Sequence, residues 1–255
     1  MRHDRHMSEY GFDPARPNEQ TRLNLIGQCY DPATTALLTR LGVGAGWNCL
    51  EVGAGGGSVS RWLRDQVRPG GRVVAVDIDT RFVANEPGIE SREVDILTDE
   101  LESDAFDLVH CRNLLHHLVG NQVVALGKMK AALRPGGLLV AEEPYLGTML
   151  SSRTPAWVAM WQAFHVAMPH ADYAWAVTLA AAFQAAGLTD VEGSGTATII
   201  RGGTREAELF RLTIEAVRQR VPQKADIDTG IQLLRDPKSV EPGIVMYAAW
   251  GRRAV

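Results

Sequence analysis

Short apolar runs alternate with helix-like segments over much of the chain, and this alternation constrains the fold more than any other feature. The runs Val73-Val74-Ala75-Val76 and Leu138-Leu139-Val140-Ala141 contain no alternating polar residues. Such runs are typical of strands that are buried on both faces of a sheet. Because helix-like segments separate these strands, the sequence predicts a parallel sheet with helices on both faces, which is an α/β fold.

Turn and capping signals predict where the individual elements begin and end. We expect strands at residues 48–52, 72–76, 91–94, 106–111, 138–142, 191–201 and 244–250. We expect helices at residues 18–30, 31–41, 58–66, 80–86, 114–133, 156–168, 173–186 and 204–220. The second of these helices is predicted to begin at Asp31, an N-cap residue followed by Pro32 at the first helical position.

Composition excludes several classes of function. The chain has 255 residues, of which 45% are apolar and 22% charged, as expected for a globular protein with a sizeable core. The formal net charge of -4 gives no basic surplus, so we expect no nucleic-acid partner. No segment approaches the roughly 18 uninterrupted apolar residues of a membrane span. The polar N-terminus also lacks the apolar region of a signal peptide, so we expect no membrane partner.

The three cysteines are Cys29, Cys49 and Cys111, and their spacing fits neither a metal site nor a disulfide framework. We therefore expect no metal. The absence of a disulfide framework favours a reducing, cytoplasmic compartment.

A glycine-rich loop, Glu51-Val52-Gly53-Ala54-Gly55-Gly56-Gly57, lies between the first predicted strand and a helix. Glycine permits a tight turn and close approach of a ligand, and the helix that follows presents unpaired N–H groups. A dinucleotide-binding loop has a third glycine or an alanine where this chain has Ser58, and a P-loop requires a lysine that is absent. Taken alone, the loop indicates only a nucleotide-like ligand.

The loop resembles motif I of class I methyltransferases, E/D-x-G-x-G-x-G, at every fixed position. Four further segments resemble the later motifs of that family and follow in the family's order: residues 73–77, 92–96, 106–113 and 133–140. The resemblance covers about residues 35 to 145. It implies S-adenosylmethionine as the cofactor and S-adenosylhomocysteine as the product.

The resemblance also implies a Rossmann-like seven-stranded sheet with helices on both faces, an antiparallel last strand and a helical lid and cap. We expect residues 1–255 to form a single methyltransferase domain. Within it, residues 1–35 are predicted to form an N-terminal helical lid, and residues 150–187 and 203–240 are predicted to form cap and insertion segments.

The resemblance implies eleven cofactor-binding residues: Glu51, Gly53, Ala54, Gly55, Gly57, Asp77, Ile78, Asp95, Ile96, Arg112 and Asn113. Asp77 lies 24 residues after Gly53, near the spacing at which a carboxylate at a strand end accepts hydrogen bonds from both ribose hydroxyls. The alternatives are that Asp77 merely caps the following helix, or that Asp79 contacts the ribose instead.

The other polar cofactor candidates also have structural interpretations. Glu51 is expected to orient the methionine ammonium, or else to accept N–H bonds from its own loop. Asp95 is expected near the adenine amino group with Ile96 against the ring, or else in an ordinary polar turn. Arg112 and Asn113 are expected to contact the methionine portion through their backbone, or else to be ordinary polar loop residues.

A base is needed when a methyl acceptor presents a hydroxyl or a C–H group. We expect His165 or His170 to assist deprotonation, with His116 as a third candidate; His117 adjoins His116, and the two cannot both face the same way on a helix. The same region is rich in aromatic residues, which form either a pocket for a flat, apolar acceptor or the core of a helical cap: Trp157, Trp161, Tyr173 and Trp175.

The sequence therefore predicts methylation of a small organic acceptor at O, N or C in secondary metabolism. One alternative is an NAD(P)-binding oxidoreductase, which would require a glycine at position 58. Another is a methyltransferase fold that acts as a cyclase or binding scaffold. Apolar helices between residues 150 and 220 could pair two chains as a homodimer.

Overall fold

The computed structural model describes residues 18–221 and 224–255. Residues 1–17, which belong to the predicted lid 1–35, lie outside the described part of the chain. No helix among the described residues is both long enough and apolar enough to cross a lipid bilayer.

The described residues form helices and strands that alternate along the chain. The helices are α1 (Glu19–Arg40), α2 (Ser58–Val67), α3 (Gln122–Ala132), α4 (Gly147–Leu150), α5 (Pro155–Ala167), α6 (Leu179–Ala185), α7 (Arg205–Val217) and α8 (Lys224–Arg235). The strands are β1 (Asn48–Val52), β2 (Arg72–Asp77), β3 (Glu90–Glu93), β4 (Phe106–Arg112), β5 (Leu133–Tyr145), β6 (Leu188–Arg201) and β7 (Val240–Arg253). Single-turn 3-10 helices lie at Leu115–His117, Trp175–Thr178 and Arg218–Arg220.

The seven strands form one sheet in the order β3-β2-β1-β4-β5-β7-β6. Strand β7 runs antiparallel to β5 and β6, between which it lies, and the other strands are mutually parallel. The predicted Rossmann-like sheet with an antiparallel last strand is thus confirmed. The carboxyl ends of β1 to β5 meet at one edge, which is where open α/β sheets form a ligand crevice.

Three apolar clusters stabilise the fold. On one face of the sheet, side chains such as Leu50 and Val109 pack against α3 and α6. On the other face, residues such as Cys49 and Leu108 pack against α2 and the end of α1. The third cluster joins α4, α5, α7 and α8 into a helical cap. This cap contacts the ends of β5 and β7, so it covers the edge at which the crevice opens.

The predicted break between two N-terminal helices at Asp31 is wrong, because α1 continues through Pro32 without interruption. Asp31 is therefore not an N-cap. Its carboxylate instead accepts hydrogen bonds from Ser58 at 3.0 Å and from Arg112 at 2.7 Å. A proline inside a helix removes one backbone hydrogen bond, and these side-chain contacts help to hold α1 on the sheet despite that loss.

Three other helix predictions also require correction. Residues 114–133 are not one helix, because Gly120 adopts a left-handed φ of 78° and separates the 3-10 turn at Leu115–His117 from α3. Residues 80–86 form turns instead of a helix. The predicted helix 173–186 starts as a 3-10 turn and becomes α-helical only at Leu179. Helix α8 was not predicted individually and lies within the insertion expected at residues 203–240.

Candidate active site

A cavity of about 300 Å³ lies where the carboxyl ends of the central strands meet α1 and the cap. The sheet contributes the glycine loop and the residues that follow β2, β3 and β4. Helix α1 contributes Leu23, Ile26 and Tyr30, and the cap contributes mainly aromatic side chains. The cavity therefore brings together the sequence motifs and the aromatic region that were predicted separately.

The glycine loop lines one wall of this cavity with little side-chain bulk. Gly53 and Gly55 adopt left-handed φ angles of 73° and 50°, which glycine tolerates without strain. A Cβ atom at Gly53 would lie 3.2 Å from the Leu114 side chain. The residues Gly53, Ala54, Gly55 and Gly56 all line the cavity.

Gly57 was predicted to bind the cofactor but does not line the cavity. Gly57 precedes α2 and has a φ of 72°. A Cβ atom at this position would lie 3.2 Å from the side chains of Arg61 and Val83, which pack behind the loop. Its glycine identity is therefore explained by backbone conformation and by close packing.

Asp77, at the end of β2, lines the cavity beside the loop. Its carboxylate accepts the Gly55 N–H at 2.8 Å and the Asp79 N–H at 3.1 Å. Burial raises the pKa of Asp77, and these backbone N–H groups act in the opposite direction. The segment after Asp77 is not helical, so this residue caps no helix. Asp79 does not line the cavity, and its carboxylate pairs with Arg81 at 2.8 Å.

The residues after β2 and β3 give the cavity an apolar strip with one carboxylate. Ile78, Asp95 and Ile96 line it, and Ile96 is buried. Asp95 accepts the Leu97 N–H at 2.9 Å, which fixes its turn. This arrangement can hold a flat ring against apolar side chains with an acceptor oxygen at its edge.

Glu51 lines the cavity as part of a buried charge cluster that the sequence analysis did not identify. Its carboxylate lies 2.7 Å from His110 Nδ1, and His110 Nε2 lies 3.3 Å from the carboxylate of Glu142. Burial opposes protonation of His110, but the two carboxylates outweigh burial and raise its pKa to about 9. Burial likewise opposes ionisation of Glu142, but the hydrogen bond and the charge of His110 outweigh burial and lower the pKa of that carboxyl. The buried imidazolium of His110 thus lies between the carboxyl groups of Glu51 and Glu142.

This charge cluster extends to α1. The hydroxyl of Thr34 donates to Glu142 at 2.6 Å and accepts from the guanidinium of Arg112 at 2.8 Å. The guanidinium of Arg112 also donates to Asp31. Arg112 lines the cavity, as predicted, and its side chain also ties β4 to α1. Asn113 lines the cavity with φ at 57°, and its N–H donates to the Glu142 carbonyl at 2.9 Å.

His116 is the predicted base candidate with the most favourable surroundings. Its Nδ1 lies 2.6 Å from a carboxylate oxygen of the fully buried Glu143. That carboxylate also accepts the backbone N–H groups of Leu114, Leu115 and His116. In the tautomer in which Nδ1–H donates to Glu143, Nε2 is the ring nitrogen that can accept a proton. The ring lines the cavity and stacks on Tyr173 with ring centroids 4.7 Å apart.

The remaining histidine candidates have weaker positions. His165 is exposed on α5 and does not line the cavity, since the inward face of that helix is occupied by Trp161 and Phe164. His170 lines the cavity but is exposed. His117 also lines it; burial, followed by the charges of His116 and Arg22, lowers the pKa of His117 well below its ordinary value.

The aromatic residues of the cap divide into two groups. Trp161, Phe164, Tyr173 and Phe210 line the cavity. Trp157 is buried behind them in the cap cluster, and Trp175 packs against the sheet cluster. Of the four aromatic residues singled out in the sequence, Trp161 and Tyr173 thus lie at the cavity, and Trp157 and Trp175 lie in the packed clusters.

The missed residues did carry a signal in the sequence. His110 interrupts the apolar run Leu108-Val109-His110-Cys111, and Glu142-Glu143 follow a buried run directly. Charged groups inside buried strands require partners, so three such residues on neighbouring strands predict a polar cluster. The sequence did not reveal the pairing itself, because it depends on the register between β1, β4 and β5.

Comparisons with known proteins agree with this geometry. The chain matches the model of a methyltransferase-domain family over residues 10–192. No curated protein matches its sequence. Among solved structures, the YcgJ protein from Bacillus subtilis is similar with a TM-score of 0.59 and 13% identity, over 88% of this chain and 99% of that chain.

Two other solved structures share the fold. A phosphoethanolamine N-methyltransferase from Haemonchus contortus, in complex with phosphomonomethylethanolamine and S-adenosylhomocysteine, has a TM-score of 0.58 and 16% identity, over 88% of this chain and 53% of that chain. The cyclase SpnF has a TM-score of 0.54 and 17% identity, over 89% of this chain and 83% of that chain. At these identities the likeness concerns the fold alone.

Proposed function

The chain belongs to the methyltransferase-domain family, and from this membership we propose that it transfers a methyl group from S-adenosylmethionine to a small organic acceptor of secondary metabolism. One observation carries the proposal. Residues 53–56 of the motif I loop, Asp77, Asp95 and His116 all border a single cavity, and Glu143 lies behind His116. That cavity therefore places a cofactor cradle and a candidate base beside each other.

The residues of the sheet edge fit S-adenosylmethionine. The low bulk of Gly53 and Gly55 leaves room for the methionine portion against the backbone. Asp77 is positioned to accept from ribose hydroxyls, and Ile78 and Ile96 to flank the adenine beside Asp95. The carboxyl group of Glu51 lies at the cavity wall, where it would bind the ammonium group. When bound, the cofactor supplies a methyl group on a sulfonium, which is already activated for transfer.

His116 is the residue that we propose as the general base. Glu143 fixes the tautomer in which Nε2 is free to accept a proton from the acceptor's hydroxyl. None of the described residues forms a hydrogen bond to Nε2. The burial of this pair excludes water, so the imidazole stays aligned. The base role expected for His165 loses its support, and His170 is the weaker alternative because it is solvent-exposed.

The proposal is tested by transfer of a labelled methyl group to a panel of phenols, amines and C–H acids. His116→Asn retains a donor toward Glu143 but lacks a base. We expect this variant to lose turnover by about 100-fold or more with its best acceptor, while its affinity for S-adenosylhomocysteine stays near that of the wild type. His165→Asn on the exposed side of α5 is the matched control and should keep full activity. Equal losses in both variants, or no loss in His116→Asn, would refute the assignment of the base.

A second candidate function is a cyclase or scaffold role without methyl transfer. The likeness to SpnF extends over most of both chains, but it concerns the fold alone. The transfer assay separates the two functions: a protein that binds S-adenosylmethionine and methylates no member of the panel, yet rearranges a bound ligand, would support the second one.

A further inference from the structure

The two edges of the sheet differ in how well they are protected against pairing with another strand. Edge strand β3 has only four residues, of which Glu90, Arg92 and Glu93 are charged. Short length and charged side chains are common devices by which an edge strand avoids a partner. The opposite edge strand, β6, has 14 residues, and none of the other described strands pairs with its outer side. The sheet therefore has one blocked edge and one open edge.

The central part of β6 lacks the features that normally block an edge. This edge run, residues 192–200, has the sequence Glu-Gly-Ser-Gly-Thr-Ala-Thr-Ile-Ile, with no proline and with Glu192 as its only charged residue. Residues 192–197 are exposed, and Ile199 is 74% exposed. The first register shift against β7 lies before the edge run, and at the second shift the extra residue belongs to β7. The edge run is thus a regular strand whose outer side can pair with another strand.

The helix that borders the edge run also lies in an uncharged segment. A Cβ atom at Gly193 would lie 3.7 Å from the side chain of Ala180, so α6 packs along the edge strand. Residues 173–189 contain no Asp, Glu, Lys or Arg, although charged residues make up 22% of the chain. Several residues of this segment are nevertheless exposed: Val177, Thr178, Ala181, Gln184 and Ala185. Depletion of charged residues is typical of the core of a protein–protein interface.

The charged residues at the two ends of the edge run select a partner and a direction. Asp190 and Glu192 stand at its start, and Arg201 follows its end. When two identical strands pair in antiparallel orientation, the acidic start of one copy lies beside the basic end of the other, and this holds at both ends of the pair. Parallel pairing would instead bring like charges together. A second copy of this chain, related by a two-fold axis, is therefore complementary to the edge.

The length of the edge run also selects a register. Opposed side chains point to the same face of a sheet, so a two-fold axis through an antiparallel pair places one residue opposite its own copy. An axis at Thr196, the middle residue, pairs every residue of the edge run. Ile199 then lies opposite Gly193, where no side chain competes with it. Two such strands form about eight to ten main-chain hydrogen bonds, a usual number for a specific interface.

We propose that this chain forms a homodimer in which the edge runs of two copies pair in antiparallel orientation. The two seven-stranded sheets then join into one continuous sheet. The exposed side of α6 from each copy flanks the pair on one face of the joined sheet. No residue of β6 lines the cavity, so each copy keeps its own site and the dimer does not depend on the cofactor or the acceptor.

Sedimentation equilibrium of the wild-type protein over a concentration series should show reversible association from 27.8 kDa to twice that mass. Thr196→Lys places a lysine of each copy at the two-fold axis, where the two like charges oppose each other. We expect this variant to raise the dissociation constant of the dimer by about tenfold or more. Thr98→Lys is the matched control, because Thr98 is exposed in the turn after β3 at the opposite edge of the sheet. The control should dimerise like the wild type.

Cysteine substitutions test the register without relying on a loss of association. Thr196→Cys brings two thiols together at the axis, within the roughly 7 Å between Cα atoms that a disulfide can span, so it should form a covalent dimer under mild oxidation. Ser194→Cys lies on the same face of the strand, but its copy is displaced by about 13 Å along the strand, so this variant should not crosslink. The wild-type protein gives the background from the native cysteines.

A wild type that stays monomeric over the whole concentration series would overturn the proposal. The same holds if Thr196→Lys dimerises as tightly as Thr98→Lys, if Thr196→Cys does not crosslink, or if Ser194→Cys crosslinks as readily. Thermal unfolding verifies that each variant is folded, and the two cysteine variants decide the matter if Thr196→Lys is not.

Discussion

At the scale of single residues, His110 controls the charge of the cavity wall beside the glycine loop. A fully buried imidazolium is stable here only because Glu51 and Glu142 lie on its two sides. Removal of one member of such a cluster leaves an uncompensated buried charge, which is strongly destabilising. The cluster therefore stabilises the sheet edge and holds the Glu51 carboxyl group at the cavity wall, in place for the proposed contact with an ammonium group.

This arrangement predicts a specific pH dependence of stability. The folded-state pKa of His110 is raised to about 9, above the value of about 6.5 that histidine has in an unfolded chain. Its contribution is therefore fully present below about pH 6.5 and is lost as the pH rises through about 9. We expect the free energy of unfolding, measured by urea denaturation, to fall by about 2–3 kcal/mol across this window.

His110→Gln is the control for this effect, since glutamine does not titrate. The variant should be less stable at pH 6.5 and should lack the decline between pH 6.5 and 9. A variant with the same decline as the wild type would show that other groups cause it.

The positions of single residues could be predicted from the sequence where a motif fixes the local backbone. Asp77 and the loop from Gly53 to Gly55 lie at the cavity, because strand ends and the loop geometry place them there. The partners of His110 could not be predicted in the same way, since they come from strands that lie 32 and 59 residues apart along the chain. His165 illustrates the same difficulty, because a small rotation along α5 decides whether a side chain faces the cavity or the solvent.

At the scale of elements, α1 is tied to the sheet by polar contacts as well as by apolar packing. Thr34 contributes the central contact, because its hydroxyl bridges Glu142 and Arg112 across the interface.

Several strands were predicted within a residue or two because short buried runs identify them. The predicted helix break at Asp31 was wrong because tertiary contacts override the proline signal. The predicted continuous helix over residues 114–133 was wrong because Gly120 interrupts the periodic pattern.

Replacement of Thr34 tests the role of α1. Thr34→Val keeps the shape of the side chain but deprives a buried carboxylate and a buried guanidinium of one partner each, so it should lower the free energy of unfolding by about 1–3 kcal/mol. Thr35→Val on the same helix is the matched control, because Thr35 is only partly buried and its hydroxyl donates only to the Pro32 carbonyl, at 3.4 Å. Its effect should stay within about 0.5 kcal/mol in the same urea titration. Similar effects of the two substitutions would mean that the Thr34 bridge does not stabilise the interface.

At the scale of the whole molecule, the cap and the sheet are separate apolar clusters that enclose one cavity between them. The sheet cluster supports the cofactor end, and the cap cluster positions the aromatic side chains that line the cavity. A disturbance inside the cap should therefore weaken acceptor binding more than cofactor binding.

Two glycines inside helices provide a matched pair for this test. A Cβ atom at Gly230 in α8 would overlap the side chain of Met160 in α5, whereas a Cβ atom at Gly127 in α3 would meet open space. Gly230→Ala should lower the free energy of unfolding by about 1–3 kcal/mol and weaken binding of the best acceptor from the methyl-transfer panel. Gly127→Ala should raise that free energy by about 0.5–1 kcal/mol and leave the affinities for cofactor and acceptor unchanged. A Gly230→Ala variant that lost cofactor affinity but kept its affinity for that acceptor would contradict the separation of the two ends.

The central claim is that the cavity binds S-adenosylmethionine. The most direct measurement is calorimetric titration of the wild-type protein with S-adenosylmethionine, S-adenosylhomocysteine and NAD. We expect micromolar binding of the first two ligands and no binding of NAD. The reason is that the loop and Asp77 border a site for one nucleoside, and the cavity continues from this site to the cap residues. Tight binding of NAD without binding of either adenosyl compound would contradict it.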